Sequence, residues 1–388
     1  VYEHHPDTCQ VNAQRFVLRT FRGNPYQACG GDGDQAASAA GCEAGHRRPR
    51  GVKSTVTAPI ETTGAAAQTQ PEAVLKGVEG KRIEGRSLGR IALLRFRRDK
   101  VAVAGAIVVI LLIAVAALSR PLQALLGLDP DSPNQSLIDP NTTLPKGDLG
   151  GMSGAHPLGV DPKFGRDLLA RVLEGSWVSL IVAFGATLLS VAIGTVMGVI
   201  AGFYRGRVDA VISRLMDVFL AFPLLLFAIA ISASLQGGAF GLTGLPLHLS
   251  VLIFVIGFFN WPYMGRIVRA QTLSLREREF VDAARGMGAR GPFILFRELL
   301  PNLVGPIVVY STLLIPSNIL FEAALSFLGV GIQPPQASWG GMLNQAVKYY
   351  EVDPQYMLVP GLAIFVTVLA FNLLGDGLRD ALDPRGGR

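Results

Sequence analysis

Four polar residues crowded into one stretch, His156, Asp161, Arg166 and Asp167, are where this sequence could first do acid–base chemistry. An imidazole beside carboxylates can move a proton, and an arginine can hold an oxyanion. A hydrolase would also need a nucleophile, and no G-x-S-x-G turn accompanies them. The four read instead as a capped, ion-paired turn opening a helix, with Arg166 and Asp167 as pairing residues. Cys9 and Cys42 lie near His4, His5 and His46, but the spacings match no zinc pattern. No G-x-x-x-x-G-K-[ST] loop is present to cradle nucleotide phosphates. The sequence therefore reads as no enzyme, with neither cofactor nor metal. Any energy it uses has to arrive through a partner.

Two further groups carry charge or polarity where position decides the meaning. Asp209, Arg214 and Asp217 sit at one end of an apolar stretch, and a charge at the centre of a membrane helix costs about 2.5–3.5 kcal/mol. Near the interface such groups snorkel, and Arg214 and Asp217 share a helix face. A structural ion pair is the expected role, not a proton relay. Asn372 is expected to make a helix–helix hydrogen bond. In Glu277–Met287, residues Phe280, Ala283, Ala284 and Met287 recur at i, i+3, i+4, i+7 and make one apolar stripe on a short polar helix. Gly286, Gly288 and Gly291 then break the helix, with Gly288 a candidate left-handed turn, and Pro292 suits the first turn of the next. Such a helix beside a membrane is shaped to dock in a partner's groove.

The elements that must position these residues are set by lipid. Half of the chain is apolar and only 16% is charged, against about 25% in soluble domains; mean hydropathy is +0.39. Six apolar runs follow one another at 101–118, 178–203, 208–235, 247–264, 303–320 and 358–375. The first would cover roughly 27 Å, just enough to cross the hydrocarbon core. Pro223 is expected to kink the third, and Pro306 and Pro316 lie in the fifth. The fold expected is all-α and integral to the membrane. Ahead of the first run, Arg86–Lys100 mixes Arg90, Arg95, Arg97 and Arg98 with Leu88, Ile91, Leu94 and Phe96, the pattern of an interfacial helix on anionic headgroups. The net charge of +6 thus points to a bilayer surface and not to nucleic acid.

Arginines also set the orientation. Arg266, Arg269, Arg276, Arg278, Arg285, Arg290 and Arg297 crowd the loop between runs four and five, whereas the loop after run five has Lys348 alone. By the positive-inside rule both termini are cytoplasmic. The organisation expected is an N-terminal extension over 1–85, an interfacial helix and first span over 86–120, an extracytoplasmic segment over 121–177, and a five-helix core over 178–388 with a cytoplasmic loop at 276–302. The extension lacks any apolar period and cannot offset its ordering entropy. Because the chain opens on Val, residues 1–51 are expected to precede the natural start.

A resemblance sharpens this picture. Glu279, Asp282-Ala283-Ala284, Gly288 and Leu300-Pro301 are spaced as in the EAA loop of ABC-type import permeases, with Glu298 where an apolar residue is usual. His156-Pro157-Leu-Gly159-Val-Asp161 through Gly165-Arg166-Asp167 is similar to the HPLGTDxxGRDxLSR segment of dipeptide and oligopeptide permeases, with Val160 and Ala170 replacing Thr and Ser. Glu322–Gly331 running on to Trp339–Met342, and Asn372–Pro384, resemble the same subfamily. The resemblance spans roughly residues 86–388. It implies a type I ABC importer fold with a cytoplasmic coupling helix, in the cytoplasmic membrane. It also implies a second permease subunit, two ATP-binding subunits and an extracytoplasmic solute-binding protein as partners. The cargo implied is a short peptide, or a nickel chelate or similar solute.

Two other classes stay in view. An ion-coupled carrier would need carboxylates in mid-span, and runs two, five and six contain none. A membrane scaffold without transport would need neither the docking loop nor the outer motif. No residue is singled out as contacting substrate.

Overall fold

The computed structural model describes residues 88–147, 149–234 and 241–382. The expectations for residues 1–85, and the cysteine–histidine group, lie outside the described residues. In chain order the helices are α1 (Leu88–Arg98), α2 (Lys100–Ala117), α3 (Ser119–Leu126), α4 (Leu168–Tyr204), α5 (Gly206–Ala221), α6 (Leu224–Ser234), α7 (Gly244–Arg276), α8 (Glu279–Gly286), α9 (Gly291–Phe327), α10 (Trp339–Ala346) and α11 (Pro354–Leu382). A π-helical turn, Ile294–Leu299, interrupts α9. Helices α2, α4, α7, α9 and α11 are each long and apolar enough to cross a membrane. A sixth crossing is made if α5 and α6 form one span.

That pair departs from a simple kink. It bends by 73° at Phe222-Pro223, because a proline both lacks the N–H and crowds the preceding turn. The other spans outrun their apolar cores. Helix α4 has 37 residues, roughly 55 Å at 1.5 Å per residue, against about 30 Å of hydrocarbon. Its first turns therefore stand clear of the lipid, which is how they carry Arg171 and Glu174. Helix α9 likewise extends past residue 320 and buries Glu322 completely. The apolar runs 178–203 and 303–320 themselves contain no acidic residue; Glu174 and Glu322 lie on the helices beyond them.

One seam organises the bundle. Gly194, Gly198 and Gly202 recur every four residues on α4, where a Cβ would stand 2.7 Å from Met264 Cβ, 2.8 Å from Val268 Cβ and 2.7 Å from Thr272 Cβ. Small residues at this spacing let two backbones meet, so α4 and α7 pack parallel along their length, the end of each at the same end of the bundle. Helix α11 meets α2 in the same way: a Cβ on Gly105 would lie 2.9 Å from Leu373 Cβ. At the core of the bundle Asn260 Nδ2 donates to Asn318 Oδ1 at 3.0 Å, and Asn318 Nδ2 donates to Thr187 Oγ1 at 2.8 Å. This chain of buried amides ties α7 to α9 and α4. Asn372 is exposed on the outer surface of α11 and does not supply the helix–helix bond expected of it.

Candidate functional site

Two sites answer to the sequence motifs, one at each end of the bundle. At the end that carries α1 and most of the arginines, α8 lies across the tips of α4 and α7. Glu279 and Asp282 occupy its first turn and Arg285 its last, matching the helix dipole; Arg285 Nη1 meets Asp282 Oδ1 at 3.2 Å. Gly288 closes the helix with φ of 82°, as a left-handed terminus requires. Its N–H donates to the Arg285 carbonyl, and that of Ala289 to the Ala284 carbonyl.

The apolar residues of α8 divide between two faces. Val281 and Ala284 are buried and pack with Ile294 and Leu299, beside Phe203, Leu275 and Ala289. Ala284 therefore belongs to the protein's own core, not to the free stripe. Phe280, Ala283 and Met287 remain exposed, Met287 at 83%. Leu300 is half-buried against α7, and Pro301 is exposed. The π turn brings out two side chains that the sequence reading passed over, Phe293 and Phe296, the latter 67% exposed; π turns recur at functional sites. Behind α8, Arg276 Nη1 donates to the Phe203 carbonyl at the end of α4, and Arg205 pairs with Glu277 at 2.7 Å. The helix thus sits on a braced platform with an apolar edge outward.

Beside it, α5 is fastened to α7. Arg269 holds Asp209 through both carboxylate oxygens, and Arg266 Nη2 meets Asp217 Oδ1 at 2.6 Å. The expected Arg214–Asp217 pair is only a 4.0 Å contact. An exposed i, i+3 pair contributes little, and the partner that matters is contributed by another helix.

The opposite end holds the His156–Asp167 segment, and here every motif residue has a structural task. Asp161 accepts from Arg166 Nε at 2.8 Å and Nη2 at 2.5 Å, and from the Arg166 backbone N–H at 2.7 Å. Asp167 caps α4 by accepting from Ala170 N–H at 2.8 Å, and its other oxygen meets His156 Nδ1 at 2.7 Å. Arg166 and Asp167 are paired, but with Asp161 and His156. Gly159 and Gly165 have φ of 80° and 70° and lie against the carbonyls of Gly150 and Asn134, where no Cβ fits. Pro157 lies between His156 and Gly159, within the same turn. Beside this turn a cavity of about 320 Å³ is lined by Leu149, Gly150, Asp353 and Gln355 among others. Burial raises the pKa of Asp353 above the usual carboxylate value. Among the described residues no His, Cys, Asp or Glu cluster could hold a metal ion.

A helical bundle with a braced surface helix at one end and a capped turn at the other now has relatives to be set beside. Residues 194–387 match the family described as the binding-protein-dependent transport system inner membrane component, and residues 87–141 match the N-terminal transmembrane domain of oligopeptide transport permease C. The glutathione transport system permease protein GsiD of Pectobacterium atrosepticum is 42% identical over 294 residues, covering 75% of this chain and 89% of that protein. GsiD of Escherichia coli is 42% identical over 294 residues and 88% of its own length. The chain belongs to the binding-protein-dependent permease family. It is an integral-membrane permease component with the type I ABC importer fold. The methionine ABC transporter MetNI, in an inward-facing conformation, aligns with 56% of this chain and 98% of its own at 19% identity, with a TM-score of 0.45.

Proposed function

We propose that this permease moves short peptides across the cytoplasmic membrane as one of two permease subunits. Two ATPase subunits energise it, and an extracytoplasmic binding protein delivers the solute. The relatives support the cargo, since both GsiD proteins are named for transport of glutathione, itself a short peptide. The observation that carries the reading is the two-faced α8. Val281 and Ala284 anchor it to the permease, leaving Phe280, Ala283 and Met287 outward at a width suited to a partner's groove. Glu279, Asp282 and Gly288 shape that helix, and Leu300-Pro301 returns the chain to α9.

The end carrying α1 and α8 faces the cytoplasm in this reading, with both termini on that side. Residues 121–177, including the first turns of α4, then form the extracytoplasmic segment. The His156–Asp167 turn is its rigid base, built for the binding protein to meet a fixed surface.

The test is reconstitution. The purified assembly in proteoliposomes should accumulate labelled di- or tripeptide only with ATP and loaded binding protein. Uptake of a nickel chelate in place of peptide would reassign the cargo. Uptake driven by a proton gradient without the ATPases would end the reading.

A further inference from the structure

Two motifs are left over from transport and docking: Glu322–Gly331 and Trp339–Met342. In space they form one unit. The Glu322 carboxyl is completely buried in α9, and no cation is within ion-pair distance of it among the described residues. Its one hydrogen-bond partner among those residues is the hydroxyl of Ser326, one turn on in α9; its Oε2 is buried without a partner there.

Ser326 relays the carboxyl to backbone, and a second serine caps the helix that follows. Ser326 Oγ donates to Glu322 Oε1 at 2.8 Å while accepting from Ile332 N–H at 3.2 Å. Ser338 Oγ accepts from Gly341 N–H at 3.1 Å, capping α10. The glycines of both motifs fit the same contact: a Cβ on Gly331 would stand 2.7 Å from Ser326 Cα, and one on Gly340 2.6 Å from Ala323 Cα. Trp339 Nε1 donates to the Val172 carbonyl of α4 at 3.1 Å. Helix α10 is therefore wedged among α4, α9 and α11, with Trp339, Met342 and Ala346 buried.

We infer that Glu322 is a positioning residue for transport. Its carboxyl, by accepting from Ser326 and not by carrying charge, fixes the Ile332–Ser338 segment that seats the α10 wedge closing the outer end of the bundle. The carboxyl has no hydrogen-bond partner but Ser326 among the described residues, so carboxyl, serine and the Ile332 N–H are held or released together. The inference rests on the orientation proposed above only for which side a probe must come from.

The experiment uses the full assembly with Cys9, Cys29 and Cys42 replaced by serine and an impermeant maleimide added to intact cells. Val352→Cys, exposed on the same end, is the orientation control; its failure to label would refute the topology and not the wedge. Ala337→Cys, buried beside Ser338, reports the wedge. Glu322→Gln should leave the Ala337 site protected and peptide uptake near wild type. Glu322→Met, of similar volume without hydrogen bonds, should label the Ala337 site and cut uptake about tenfold or more, as expected for losing bonds to a buried carboxyl. Should Glu322→Met not accumulate, Ser326→Ala should give the same exposure in milder form. A protected Ala337 site with full uptake in Glu322→Met or Ser326→Ala overturns the inference. So does a Glu322→Gln variant, present at normal abundance, that fails as badly as Glu322→Met.

Discussion

Ala283 and Ala284 are chemically identical neighbours that the fold turns to opposite faces of α8, and this makes them a matched test. Ala283→Asp changes an exposed position. Its cost to the permease is the helix propensity difference, about 0.5 kcal/mol. In an assembled complex it would place an unpaired carboxylate in the docking contact, at about 2–5 kcal/mol, or roughly thirty- to several-thousand-fold in association. Ala284→Asp puts the same carboxylate among Val281, Ile294 and Leu299, where Arg285 is already engaged by Asp282. An uncompensated buried charge there costs about 3–5 kcal/mol of the permease's own stability. The expected results separate cleanly. Ala283→Asp should insert at normal abundance and melt like the wild type, yet lose its ATPase subunits on purification and lose peptide uptake. Ala284→Asp should lower the melting temperature of the isolated permease and its abundance. Membrane immunoblots, co-purification and uptake in one strain set decide it. Full uptake by Ala283→Asp with partners retained would refute the docking role of the exposed face. Equal melting of the two variants would refute the inward placement of Ala284.

Three further outcomes follow from the packing. Gly198→Leu places a side chain where even a Cβ meets Val268 Cβ at 2.8 Å; it should part α4 from α7, cost at least about 3 kcal/mol as a gross overpacking and abolish uptake, read by thermal unfolding in detergent. Asp161→Asn removes the bidentate partner of buried Arg166 and should cost about 3–5 kcal/mol, whereas His156→Gln, which leaves the cap of Asp167 on α4 intact, should cost far less; melting of the two variants compares them. For Asp353 the folded pKa is raised, so its favourable contribution is complete below the unfolded value near pH 4 and is lost as pH rises through the folded value; Asp353→Asn should flatten the melting temperature across that window, and an unchanged slope would contradict it.

What the sequence made legible was local. Spans announce themselves because lipid demands long uncharged runs, and Pro223 announced the break. Helix ends were misplaced where helices leave the lipid: once α4 and α9 stand clear of it, Arg171, Glu174 and Glu322 no longer interrupt a helix, so an apolar run understates its length. Partners failed for a related reason. Asp217 has Arg214 three residues away, but its close contact is Arg266 on α7. Arg166 likewise bonds Asp161 and not its neighbour Asp167. Spacing within one helix predicts only what that helix can do alone. The inward turn of Ala284 depends on Phe203, Ile294 and Leu299, which no window around α8 contains. The Asn260–Asn318–Thr187 chain was invisible, since each member is one polar residue in an apolar run.

The braced platform also limits how a push on α8 can travel. If α8 moved alone, Val281 and Ala284 would leave their pocket, and burial of a valine-sized side chain is worth about 1.5–3 kcal/mol. Arg276 of α7 holds the Phe203 carbonyl of α4, so the two tips beneath α8 are themselves tied together. Moving α8 with the tips of α4 and α7 breaks neither contact, and the glycine seam then carries the displacement along both helices, because their backbones are too close to slide independently. Through Asn318 and Thr187 the same body reaches α9, and through Trp339 and the Val172 carbonyl it reaches the wedge at the far end. The joint that can yield is α5–α6, hinged at Pro223 and held to α7 by two ion pairs at the α8 end. The ion pairs contribute only modestly, but Met216, Phe219 and Phe227 also pack on α7, so α5–α6 yields by bending at Pro223 and not by leaving α7. Motion started at α8 is therefore carried by α4 and α7 together and absorbed at the α5–α6 bend.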